Sequence, residues 1–236
     1  MNAPYVHKLL IGKVKKMGHS DATDRMDRPW ESGIFKNSVT SGVWLGKTGL
    51  MGDQVGDTKN HGGPEKALFA YPTMHYDYWI QELDLETIGI GAMGENLAVD
   101  YAEENSVCIG DTYELGDAVI QVSQPRQPCW KPARRFRIMD FALRIQKSGR
   151  TGWYFRVLKE GYVQEKSELR LVERPYPQWT IKKCNEVMHV HKKDLKLAEE
   201  LAACTHLGEN WKRTLHKRLS GHVSSVEKRV YGPNKE

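Results

Sequence analysis

The feature that most constrains this chain is a change of period near residue 174. Before it, apolar residues recur at every second position in short runs separated by glycine-rich turns; after "ERPYPQWT" they recur about every 3.6 residues. "VHKLLIGKV", "KALFAY", "WYFRVLKEGYV" and "SELRLVER" read as strands, and "DTYELGDAVIQVSQ" reads as a hairpin turning at Gly116-Asp117. "VWLGKTGLMGDQVGD", with glycines at 46, 49, 52 and 56, reads as a turn-rich connection. Two helices interrupt the pattern: "TMHYDYWIQEL", with Thr73 as the expected N-cap, and "IMDFALRIQKSG", stopped near Gly149. Many short strands at this spacing predict a mainly β protein with some α, a closed or nearly closed β-barrel with flanking helices.

Beyond Pro175 and Pro177 the segments "TIKKCNEVMH", "DLKLAEELAAC" and "ENWKRTLHKRL" predict three short amphipathic helices. The expected organisation is a barrel domain over 1–174 with core motifs at about 32–172, a three-helix unit over 178–222, and a tail over 223–236. A unit of about 45 residues is too small to be securely stable alone, so it is expected to dock on the barrel.

Composition narrows the function classes. With 39% hydrophobic and 28% charged residues, the chain has the make-up of an ordinary soluble protein and not of a disordered one. A net charge of +5 is a mild bias that an anionic small molecule explains as well as a polynucleotide, and no nucleic-acid polymer is expected as partner. No apolar run is long enough for a membrane span, the start lacks a signal-peptide pattern, and Cys108, Cys129, Cys184 and Cys204 lie far apart with no zinc spacing; a reducing cytoplasm is the expected setting.

One cysteine stands out. "QPRQPCWKPARRF", residues 124–136, sets Cys129 among Arg126, Lys131, Arg134 and Arg135, and cationic surroundings favour thiolate over thiol. Pro128 and Pro132 hold Gln127 and Lys131 to extended conformations and stiffen the loop. Local chemistry leaves the sulfur as a nucleophile, a metal ligand or neither. In "KNHGGPEKALFAY" the Gly62-Gly63 pair permits close approach to backbone N–H groups, with His61 and Lys66 able to meet an anion; a plain turn explains the stretch as well. His75 and Tyr76, Glu95 and Asn96 in "GAMGENLAVD", and Ser32 and Lys36 in "ESGIFKNSV" are singly as compatible with structural roles as with binding. Cys108, Cys184 and Cys204 read as packing residues, and the basic "WKRTLHKRL" as a solvated helix face.

Together the motifs "SGIFK" (32–36), "GLMGD" (49–53), "HGGPEKAL" (61–68), "YPTMHYDYW" (71–79), "GENL" (94–97), "IGD" (109–111) and "QVSQPRQPCWK" (121–131) resemble the MOSC family, named for the C-terminal domain of molybdenum-cofactor sulfurases. "WKRTLHKRLSG" is similar to the end of a three-helix appendage found in part of that family. The resemblance implies a β-barrel in which Cys129 binds the molybdenum of a pterin-based cofactor. For such a cofactor, Arg126, Lys36, His61 and the Gly62-Gly63 turn are the expected source of the cations and free N–H groups its phosphate needs, and Ser32, Glu95, Asn96 and Gln127 are suited to hydrogen bonds with the pterin edge. It further implies an oxidoreductase that detoxifies N-hydroxylated compounds, hydroxylaminopurines and amidoximes, with electrons from a separate flavoprotein. His75 is then the expected proton donor at the departing oxygen. A molybdenum-cofactor carrier and a cysteine-persulfide sulfur carrier are the alternatives. A homodimer is allowed, and a pyridoxal-phosphate-like binding term also goes with the family.

Overall fold

A computed structural model describes residues 3–222 and 225–235; residues 1, 2, 223, 224 and 236, at the ends of the expected barrel domain and tail, lie outside the described residues. The chain forms a curled eight-stranded sheet, a half-barrel. Its strands run in the order Arg170–Glu173, Thr112–Leu115, Ala118–Pro125, Trp153–Lys159, Leu68–Pro72, Leu97–Asp100, Tyr5–Ile11, Asn37–Val39. All neighbours are antiparallel except Leu68–Pro72 and Leu97–Asp100. The curl brings its two ends together: Val6 N–H donates to Ser167 O, and Leu169 N–H to Pro4 O, just before the strand Arg170–Glu173 begins. A three-stranded sheet (Gly161–Val163, Val43–Gly46, Gly49–Leu50) lies beside it, so the "VWLGKTGL" stretch forms strands where a turn-rich connection was expected.

Strict alternation along the central strands builds two cores. Leu68, Ala70, Trp153, Phe155 and Val157 face one apolar cluster, and Phe69, Tyr71 and Tyr154 face another. Burial on both faces explains why "LFAYP" has no polar position. The second cluster is covered by the helices His75–Leu83, Lys131–Phe136 and Phe141–Ser148. Phe141–Ser148 ends at Gly149, which takes the left-handed conformation (φ +74°).

Two local expectations are corrected. Thr73 does not cap its helix: its hydroxyl donates to Asp100 instead, and Met74 occupies the cap position without a side-chain bond. Lys131 is not extended; it opens the helix Lys131–Phe136, whose first turn accommodates Pro132 because the N–H that proline lacks would have no helical partner there.

After the barrel strands come Ile181–Asn185, continued by a wider turn over Glu186–Val190, then Leu195–Ala202 and Glu209–Leu219. Thr180 and Asp194 cap the first and second through side-chain oxygens that accept Lys183 N–H and Leu197 N–H. Their apolar faces (Ile181, Val187, Leu201, Trp211, Leu215) join the same cluster as the barrel residues Ile120 and Val122. The Trp211 indole N–H donates to Pro125 O at 3.1 Å, tying the last of these helices to the strand that leads into Arg126. Residues 225–235 of the expected tail also fold back, with Val230 and Asn234 buried.

Candidate functional site

A cleft of about 880 Å³, counting its open mouth, gathers six separate stretches: 32–36, 48–57, 61–69, 93–96, 126–131 and Tyr154. The two-stranded ribbon Lys15–Met17 and Trp30–Ser32 delivers Ser32, and the next residue must be Gly33, because a side chain there would collide with the Gln54 carbonyl. A short helix, Thr58–His61, brings in His61; Asp57 starts it by accepting Asn60 N–H at 3.1 Å. The strand Ala118–Pro125 runs on into Arg126, whose N–H donates to Gly152 O at 3.1 Å.

Cys129 is 7% exposed and lines this cleft. Burial alone would push its thiol up. The His61 imidazole, which hydrogen-bonds the sulfur, together with the Arg126 charge and the Lys131 N–H, overcomes that and brings the thiol down to about 6. Arg126 is itself 4% exposed, with its guanidinium 5.0 Å from the Phe69 ring centre and hydrogen-bonded to the Tyr154 hydroxyl. Its NH1 is buried with no hydrogen-bond partner. A buried charged donor left unmatched is costly, and an anionic ligand in the cleft would satisfy it.

The family model for the MOSC domain matches residues 57–170, and that for the YiiM-like 3-alpha helix domain matches residues 179–222. Protein YiiM of Escherichia coli K12 is 37% identical over 204 residues, 85% of this chain and 91% of its own. The chain belongs to the MOSC-domain family. A crystal structure of YiiM from Geobacillus stearothermophilus shares the fold with a TM-score of 0.76 at 32% identity, covering 92% of this chain and 99% of that one. A Gibberella moniliformis protein named a reductase is 38% identical over 179 residues, which span 75% of this chain and 31% of the fungal protein.

Within this MOSC cleft the structure brings together Ser32, Lys36, His61, Asn96, Arg126 and Cys129. Gly62, Gly63, Glu95, Gln127 and His75 are not among its lining residues. Gly63 has a left-handed φ of +92° and serves the turn, its carbonyl accepting Lys66 N–H. Glu95 is fully buried; it accepts from the Tyr76 hydroxyl and from Gly91 N–H at 2.6 Å, and burial pushes its carboxyl up. His75 does not face the cleft as a proton donor. Its Nε2 is 2.7 Å from Glu104 Oε2 in a buried pair, and Glu104 Oε1 accepts Gly152 N–H at 2.8 Å. The imidazole is held by the scaffold.

Two lining residues are more engaged than expected. Lys36 is ion-paired with Asp53, their side chains 5% and 10% exposed, so its charge is already balanced. Asn96 donates to Asp53 Oδ2 at 2.9 Å and accepts Phe69 N–H at 3.2 Å, which leaves little capacity for a pterin edge. Arg134 and Arg135 turn away from the sulfur: the first bonds Arg25 and Arg28 carbonyls, the second those of Ile34, Gly91 and Ala92. Sequence reasoning missed Asp53 and Tyr154. Asp53 closes the quoted "GLMGD" motif, but nothing local tells that its partners are Lys36 and Asn96. Tyr154 is hidden in an apolar strand, where only the strand's phase sets it under Arg126.

Proposed function

We propose that this cleft binds a pterin-based molybdenum cofactor through Cys129 and that the protein reduces N-hydroxylated compounds, such as hydroxylaminopurines and amidoximes, with electrons from a separate flavoprotein. The observation that carries this reading is the meeting, in one cleft, of the Cys129 thiol, whose ionisation His61 and Arg126 favour, with an unmatched buried guanidinium. Among the described residues no group of three or more His, Cys, Asp or Glu could hold a bare metal ion, so a metal here would arrive with most of its ligands in place. A single soft thiolate suits such a metal. The general association of MOSC domains with the molybdenum cofactor and the name of the fungal relative support the reading.

When bound, the cofactor supplies the two-electron chemistry and the centre that accepts oxygen. The chain supplies the rest. Cys129 Sγ anchors the metal end. Arg126 NH1 meets the anionic end, with Lys66 and Lys131 on the same lining. His61, next to the sulfur, replaces His75 as the imidazole able to hold a proton for the departing oxygen.

The test is turnover of N-hydroxylaminopurine by protein purified from a cofactor-producing host, with a chemical reductant or an added flavoprotein. Reduction to the amine that is lost in His61→Ala with cofactor retained supports the scheme. Cofactor-loaded protein that reduces no N–O bond with any donor is a carrier instead.

A further inference from the structure

The stretch 225–235 lies beyond the residues matched by either family model and packs onto the cysteine loop. Arg229 makes the main contacts. Its carbonyl accepts Trp130 N–H at 2.9 Å, its NH1 donates to Pro128 O, and its NH2 donates to Gln146 Oε1 at 2.6 Å. The residues on either side of Cys129 are therefore both bonded to one residue, 101 positions beyond Pro128. Further along, Gly232 (φ +50°) lies on the Trp130 indole so closely that a side chain there would overlap the ring. Asn234 Oδ1 then accepts from Arg134 Nε at 2.6 Å, which ties the end of the stretch to the helix that follows Cys129.

The loop needs such an outside partner. Residues 127–129 fall between Arg126, whose N–H donates to Gly152 O, and Trp130, whose carbonyl accepts Arg134 N–H, so neither the strand nor the helix holds them. Buried backbone groups without a ladder must find partners elsewhere. Burial pulls the Arg229 guanidinium down to about 10, so it stays charged at neutral pH and its bond to Pro128 O is charge-assisted.

We propose that this C-terminal strap holds the Cys129 loop in the geometry that presents the sulfur to the cleft, with Arg229 as its positioning residue. The effect on the loop stands on the contacts above; its consequence for cofactor retention rests on the proposed function.

The test uses full-length, cofactor-free protein as wild type, Arg229→Ala, Arg229→Lys and Gly232→Ala. Iodoacetamide labelling of each cysteine is followed by peptide mass at pH 8.5, where Cys129 is ionised and its rate reads access. Arg229→Ala should speed Cys129 labelling about tenfold, as loss of a charge-assisted bond to a closed loop implies. Gly232→Ala should act in the same direction, and Arg229→Lys, which can still donate to Pro128 O, should restore most of the protection. Cys108, Cys184 and Cys204, buried elsewhere, should label no faster. Unchanged Cys129 labelling in both Ala variants overturns the proposal, and so does a parallel rise at all four cysteines, which reports general unfolding. In cofactor-loaded protein, Arg229→Ala should release molybdenum faster than wild type, and Arg229→Lys at nearly the wild-type rate. A wild type that holds no molybdenum defeats the proposed function and leaves the labelling result standing.

Discussion

Cys129 and Cys108 are both buried, and what separates them is the charge each one faces. Cys108 sits near Asp111; burial first and that carboxylate second push its thiol up to about 11. Cys129 sits between His61 and Arg126, which carry it down to about 6 against its burial. In cofactor-free protein its alkylation should rise with pH to a half-maximum near 6, and His61→Ala should move that midpoint upward. Peptide-resolved labelling across pH 4.5–9 checks both. The linkage has a definite sign. An acid whose folded value is depressed adds stability that is full above its unfolded value, about 8.5, and is lost as pH falls through the folded value, so stability should decline from about pH 8.5 to 6. Lys36→Ala should report on folding as well as on binding, because it strands Asp53 in a buried site; about 3 kcal/mol should be lost in urea unfolding. Cys129 was legible because prolines and cations are adjacent to it in the chain. The same local view misassigned Arg134 and Arg135, since a helix turns them toward distant carbonyls.

Among the elements, the helix His75–Leu83 shows how a motif can be conspicuous and structural. Its imidazole is pinned to Glu104, and Glu104 to the Gly152 amide at the start of the strand Trp153–Lys159. His75→Phe keeps a ring against Tyr71 but leaves a buried carboxylate oxygen without its partner. It should cost about 1–3 kcal/mol in thermal or urea unfolding and leave molybdenum content near that of wild type. Loss of cofactor from a stable variant would return His75 to the site. The strand pattern and the hairpin at Gly116 could be read directly, since a period of two and a glycine turn are local signals. The Thr73 cap could not, because its hydroxyl is claimed by Asp100 on another strand. The helix Lys131–Phe136 was hidden by its own Pro132, which restrains the preceding residue in general yet fits a first helical turn.

At the scale of the molecule, the change of period near residue 174 marked where strands give way to helices, but it could not tell that both halves fill one core. Trp211, fully buried against the barrel, should be central to that union. Trp211→Ala should cost about 3–5 kcal/mol and lower barrel and helices together. Coincident transitions by far-ultraviolet circular dichroism and tryptophan fluorescence check this, and two separated transitions would show independent units. The return of residues 225–235 to the cysteine loop was equally out of reach, because "SVEKRVYGPNK" has a tail's composition and its partners lie about a hundred positions earlier. No helix of the described residues is long and apolar enough to cross a membrane. The most direct test of the central claim is molybdenum and pterin per chain in wild type and Cys129→Ser, purified side by side from a cofactor-producing host. Wild type should carry about one equivalent of each, and the folded variant should lose most of it, since a protonated serine is a poor, hard ligand. Undiminished molybdenum in folded Cys129→Ser, or a wild type without molybdenum, would contradict that claim.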